Sequence, residues 1–140
     1  MNVLYLTWIA SVEHGSIEWK LIDRENLQLS VVYFLQCQET KKVKIGISQN
    51  FNKRFKEIQS MSPTKLRSLV RFPTIGQGLE VFLHNHFKEY RLHGEWFLIP
   101  EGMDGLIVDL GSKAGELQSQ SPFEKEKIFL REALYSDCPF

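Results

Sequence analysis

The feature that most constrains this 140-residue chain is the stretch from Val31 to Ile58, where the spacing of apolar residues changes from strand-like to helix-like. Val31 to Leu35 is an unbroken apolar run suited to a central strand. After a polar turn from Gln38 to Lys41, Val43, Ile45 and Ile47 alternate with Lys42, Lys44 and Gly46, the pattern of a half-buried strand. Phe51, Phe55 and Ile58 then recur at i, i+4 and i+7 and mark one face of a helix beginning near Asn50. An antiparallel hairpin followed by a helix is therefore expected, with helices covering at least one face of the sheet.

The flanking segments extend this core. Ser62-Pro63 ends the helix, and Leu66 to Phe72 forms a third strand closed by Pro73. Gly76 to Gly78 lead into a second helix with a broad apolar face of Leu79, Leu83, His86, Phe87 and Tyr90. Gly94 stops that helix, Trp96 to Ile99 gives a short strand, and 103–110 reads as a further short helix. Residues 3–12 and 16–22 are apolar or alternating runs around His14-Gly15, a hairpin with Ile17, Trp19 and Leu21 on one face. Near the far end, Ser121-Pro122-Phe123-Glu124 supplies an N-cap serine, a proline at N1 and a glutamate at N3. The fold class is α/β: a small antiparallel sheet of three core strands plus a short fourth, flanked by helices. The expected organisation is an N-terminal hairpin extension over 1–30, a core domain over 31–111, a linker over 112–121, and a C-terminal helix and tail over 122–140.

No apolar run approaches the roughly 20 residues of a membrane span. Met1 to Val12 has no Lys or Arg before its apolar stretch and makes a poor signal peptide. Cys37 and Cys138 fit no metal-site spacing, so reduced thiols and a cytoplasmic location are expected. Net charge is zero, but from Lys41 to Phe72 nine basic residues face one acid, Glu57, so +8 on this segment balances −8 on the remainder. Charge alone leaves two readings open: a surface for a polyanion, or a solvated face that offsets the acidic remainder.

Placing the polar residues on these elements selects candidates. At about 100° per residue, Arg54 falls beside the Phe51–Phe55–Ile58 face, its stem packed and its guanidinium able to fork onto a phosphate. Lys53 and Lys56 point away from that face. On the second helix, Glu80, His84 and Arg91 align along one edge of the apolar face, and His86 sits near its centre as a hydrogen-bonded core histidine. Tyr33 lies inside an apolar strand, where a phenol needs a partner. Lys44 on the neighbouring strand could approach it and lower its pKa.

Val32-Tyr33-Phe34, Lys44-Ile45-Gly46, Arg54 and Glu80, in that order, resemble the GIY-YIG nuclease domain. The longer pattern VKIGIS…KRF…EVFLHNHF…GEWF resembles a small phage and bacterial branch of it, over about residues 31–100. The resemblance implies metal-dependent hydrolysis of DNA phosphodiesters. Tyr33 would position or activate water, Lys44 would stand at the second triplet, Arg54 would stabilise phosphoryl charge, and His84 would assist. Glu80 would hold one Mg²⁺ or Mn²⁺. Lys42, Lys53, Lys56, Arg67, Arg71 and Arg91 would contact nucleic acid. Two positions depart from the pattern: Ile58 stands where a tyrosine or histidine is common, and no asparagine lies between Arg91 and Pro100. The alternative is a domain that binds nucleic acid or a partner protein without turnover. The N-terminal hairpin and the C-terminal helix are candidate protein-binding surfaces.

Overall fold

A computed structural model describes residues 6–25, 27–100 and 105–119. The C-terminal helix expected over 122–140 lies outside them. The elements run β1 (Leu6–Glu13), β2 (Ser16–Asp23), β3 (Ser30–Cys37), β4 (Val43–Ser48), α1 (Phe51–Met61), β5 (Leu66–Thr74) and α2 (Gly78–His86). A 3₁₀ turn (Lys88–Tyr90), β6 (Arg91–His93), β7 (Trp96–Phe97) and α3 (Gly105–Ser119) follow.

The three core strands form as their patterns require. β3 is central, paired antiparallel with β4 and β5. The sheet is larger than the sequence suggests, with seven strands in the order β2-β1-β5-β3-β4-β7-β6. The β1–β2 hairpin turns through His14 and Gly15, both at positive φ. It joins the core through a parallel Ala10–Thr74 bridge, reinforced by the Thr74 hydroxyl donating to the Ala10 carbonyl at 2.6 Å. The sheet is therefore mixed. Sequence pattern cannot report this join, because one bridge between distant strands leaves no local periodicity. β5 continues through Pro73 to Thr74 instead of closing before the proline. That end of β5 meets β1 only at the one bridge, so the missing N–H breaks little ladder.

Burial on both sheet faces follows the alternation. Tyr33, Leu35, Cys37 and Leu66 pack against Phe51, Phe55 and Ile58 of α1. Val32, Phe34, Val43, Ile45, Val70 and Phe72 face the other way, onto Leu79 and Leu83 of α2 and Ile107, Leu110 and Ala114 of α3. Asn50 caps α1 by accepting from the Lys53 amide. Two helix boundaries differ from expectation. α2 ends at His86, so Arg91 is on β6 and does not share an edge with Glu80 and His84. α3 runs through the segment read as linker to Ser119, because Leu110, Ala114 and Leu117 supply a buried stripe at i, i+4 and i+7. Among the described residues no helix is long and apolar enough to cross a membrane.

Candidate functional site

Gly46 fixes the centre of the site. Tyr33 on β3 lies directly opposite Gly46 on β4, and the phenol ring covers the space a side chain there would fill. A Cβ at Gly46 would stand 2.3 Å from the Tyr33 hydroxyl oxygen, so only glycine admits this packing. On its other side Tyr33 pairs with Arg71 of β5, and its ring tilts against Phe51 at 5.3 Å. The side chain is 1% exposed.

Arg54 supplies the phenol's partner. From the first turns of α1 its guanidinium acts electrostatically on the Tyr33 hydroxyl, while its Nη1 donates to Glu57 at 3.1 Å. The Tyr33 pKa is nonetheless pushed up to about 12: burial dominates, Glu95 and Glu80 add to it, and Arg54 offsets only part. The expectation that Lys44 depresses this phenol does not hold. Lys44 pairs with Leu35, diagonal to Tyr33 on the same face. Its ammonium is committed elsewhere, 3.2 Å from the Glu95 carboxylate and 5.5 Å from the centre of the Trp96 ring.

Glu80 enters from the first turn of α2, where the helix dipole favours a carboxylate. Its pKa is raised, chiefly by burial and then by Glu95, against the opposing pull of His84 and Lys44. Oε2 of Glu80 is buried with no hydrogen-bond partner. His84, one turn on, donates Nε2–H to the Ile45 carbonyl at 2.8 Å and meets Phe97 edge-on. That bond selects the tautomer with Nδ1 as acceptor. The core histidine read at position 86 is a different case: His86 is exposed and stacks on Phe82, because α2 stops there.

Tyr33, Lys44, Arg54, Glu80 and His84 thus form one connected polar cluster. Glu95, which pattern reasoning left without a role, pairs with Lys44 and acts electrostatically on Glu80 and Tyr33. Lys44 and Arg54 open onto a cavity of about 280 Å³ with Trp96 and Ile58 in its wall. Tyr33 and Glu80 are not among its lining residues.

The residues expected to contact nucleic acid are dispersed. Lys53 and Lys56 are exposed on α1, and Lys42 lines a second cavity of about 260 Å³ beside Cys37 and Trp96. Arg67 is exposed and donates to Gln36 at 3.2 Å. Arg91 is exposed on β6 with its Nε on the Gly94 carbonyl at 2.8 Å. Arg71 contradicts its expected role. It is 5% exposed and lies over Phe51 at 4.2 Å, because its strand position opposite Tyr33 faces the α1 layer.

A family model, the T5orf172 domain, matches residues 30–107, which span β3 to the start of α3 and include every member of the cluster. The chain belongs to the T5orf172 domain family. No curated protein and no solved structure matches the chain. The match corrects the family read from the sequence: the Val32-Tyr33-Phe34 and Lys44-Ile45-Gly46 triplets led to the GIY-YIG nucleases, and no GIY-YIG model matches. Short apolar triplets with a central tyrosine or isoleucine are what any buried β-hairpin of this size needs, which is why they misassign.

Whether this T5orf172 domain can hold a divalent ion is a question of donors. Among the described residues no group of three or more His, Cys, Asp or Glu side chains is placed to cage a metal. Mg²⁺ does not require such a cage, since it keeps several waters and takes one or two carboxylates. The unpartnered Oε2 of Glu80 fits that requirement. Glu95 carries the one missed signal that was available, since it stands in the Gly94-Glu95-Trp96-Phe97 run already singled out in the sequence.

Proposed function

We propose that this T5orf172 domain hydrolyses phosphodiester bonds in DNA, in the cytoplasm, with one Mg²⁺ or Mn²⁺ held by Glu80. The observation that carries the reading is the pair of cations, Lys44 and Arg54, lining one cavity, with the unpartnered Glu80 carboxylate close enough to Lys44 to feel its charge.

In this reading Arg54 and Lys44 bind non-bridging phosphate oxygens. The guanidinium is held by Glu57 and keeps N–H groups for charge that develops at phosphorus. Tyr33 acts as a buried, neutral phenol behind the cavity wall, where its raised pKa keeps it protonated and it biases the Arg54 guanidinium electrostatically. His84, with Nδ1 as acceptor, is available to take a proton. The ion, when bound, supplies Lewis acidity and orientation at the phosphate. Exposed Lys53 and Lys56 extend the contact along the backbone.

The test is nicking of plasmid DNA with Mg²⁺ or Mn²⁺ by wild type, Arg54→Ala and Glu80→Ala. The expected result is cleavage by wild type and a loss of about 10²-fold or more in each variant, the size of removing one preorganised charge partner. Equal cleavage by all three rejects the proposal.

A second reading is binding without turnover. Ile58, buried in the wall of the cavity, supplies no proton-transfer group there, and Lys44 is tied to Glu95. Salt-dependent DNA binding with no nicking under any metal favours it.

A further inference from the structure

We propose that Glu95 is a positioning residue of this site, whose carboxylate fixes the Lys44 ammonium at the cavity it shares with Arg54; the inference rests on the phosphate-binding role given to Lys44 above. Lysine on a strand beside an open cavity ordinarily samples several rotamers, since its four-carbon stem is flexible. Here the ammonium is confined by two groups and little exposed. The Glu95 carboxylate stands 3.2 Å away, the Trp96 ring lies beneath it at 5.5 Å, and the side chain is only 12% exposed.

The backbone makes this arrangement hard to avoid. Trp96 is the register partner of Lys44 on β7, which brings its ring against the lysine stem. The Ile45 amide donates to the Glu95 carbonyl at 3.0 Å, so residue 95 is tied to β4 immediately beside Lys44. Gly94 turns the chain at positive φ, and Arg91 Nε holds its carbonyl at 2.8 Å. The β6–β7 turn therefore acts as a bracket that delivers Glu95 to Lys44.

The same carboxylate has a second effect. It sits close enough to Glu80 and Tyr33 to act on both electrostatically. Removing its charge leaves Lys44 freer and makes the cavity mouth more positive by one unit. Ground-state attraction for a phosphate backbone should then hold or increase, while the geometry of the reacting complex is lost. Affinity and turnover move in opposite directions, which loss of fold does not produce.

The experiment compares wild type, Glu95→Gln and Glu95→Asp in the full chain. Three readouts are taken: amine acylation of Lys44 resolved by mass spectrometry, binding of a short DNA duplex in EDTA, and plasmid nicking with Mg²⁺. In Glu95→Gln, Lys44 should label about three- to fivefold faster, the factor a partly exposed ion pair supplies. Duplex binding should be unchanged or tighter, nicking should fall about tenfold, and Glu95→Asp should recover part of both effects. Equal Lys44 labelling in wild type and Glu95→Gln overturns the proposal, as does a parallel loss of binding and nicking. If wild type neither binds nor nicks DNA, the nucleic-acid reading fails by itself, and the labelling ratio still decides whether Glu95 positions Lys44.

Discussion

Replacing Gly46 by alanine tests the packing on which the site is built. The added Cβ would meet the Tyr33 hydroxyl oxygen at 2.3 Å, its Cζ at 2.4 Å and its Cε2 at 2.8 Å. Ordinary carbon contacts lie near 3.5–4.0 Å, so the ring must retreat by roughly 1 Å. It has little room, because Phe51 stands 5.3 Å away and Phe51 is itself pressed by Arg71 at 4.2 Å and Phe55 at 5.7 Å. Overpacking of this kind costs about 1–3 kcal/mol, a fall in Tm of roughly 3–9 °C for a chain of this length. Urea denaturation of Gly46→Ala measures the loss. In a Tyr33→Leu background the same substitution should cost less than 1 kcal/mol, or about half the wild-type value or lower, because the clashing atoms are gone. Tyr33→Phe is the control: Cζ and Cε2 remain, so most of the cost persists. A loss below about 0.5 kcal/mol in wild type, or equal losses in the wild-type and Tyr33→Leu backgrounds, refutes the argument.

Other outcomes follow from the titrating groups. Tyr33 should ionise near pH 12 in an ultraviolet absorbance titration of the folded protein, a step that Tyr33→Phe removes. The folded state keeps that proton while the unfolded chain releases it, so stability should fall as pH rises from about 10 through about 12, and Tyr33→Phe should remove this slope. Glu80→Gln should stabilise the fold at pH 8, where an unpartnered charge is being partly buried, and not near pH 4. The sign follows from the raised folded pKa: the folded state holds the extra proton, so stability declines as pH rises above the ordinary carboxylate range. The same variant should abolish nicking, and a destabilised Glu80→Gln at pH 8 contradicts the reading. Burial raises the Cys37 thiol, but hydrogen bonds with the Thr40 and Thr64 hydroxyls and the Thr40 and Glu39 backbone outweigh it and bring it to about 7. Iodoacetamide alkylation resolved at Cys37 should reach half its limiting rate near that pH, and Thr64→Val should shift the midpoint upward.

The elements that could be read in advance are those coded by neighbours in sequence. The β3–β4 hairpin, α1 with its Asn50 cap, and the His14-Gly15 turn all depend on residues within a few positions of one another. Glu80 and His84 were legible for the same reason, because i and i+4 on a helix share a face wherever the helix packs. Arg91 failed because eleven residues of assumed helix separated it from Glu80, and the chain left the helix after His86. Arg71 failed because alternation places a residue on a face without saying that a helix will cover that face. The family was misread for a related reason, since short apolar triplets report buried strands more strongly than ancestry.

By itself, then, the sequence determined the two hairpins β1–β2 and β3–β4, α1, β5 and the start of α2, the basic bias of residues 41–72, and the presence of a tyrosine, an arginine and a carboxylate on successive elements. Only the tertiary structure decided that β1 joins β5, that Tyr33 closes over Gly46, and that Glu95 reaches Lys44. The physical reason is range. Local propensity and periodicity act between residues a few positions apart, whereas register, layer order and the desolvation that raises the Tyr33 and Glu80 pKa values arise when distant segments exclude water together.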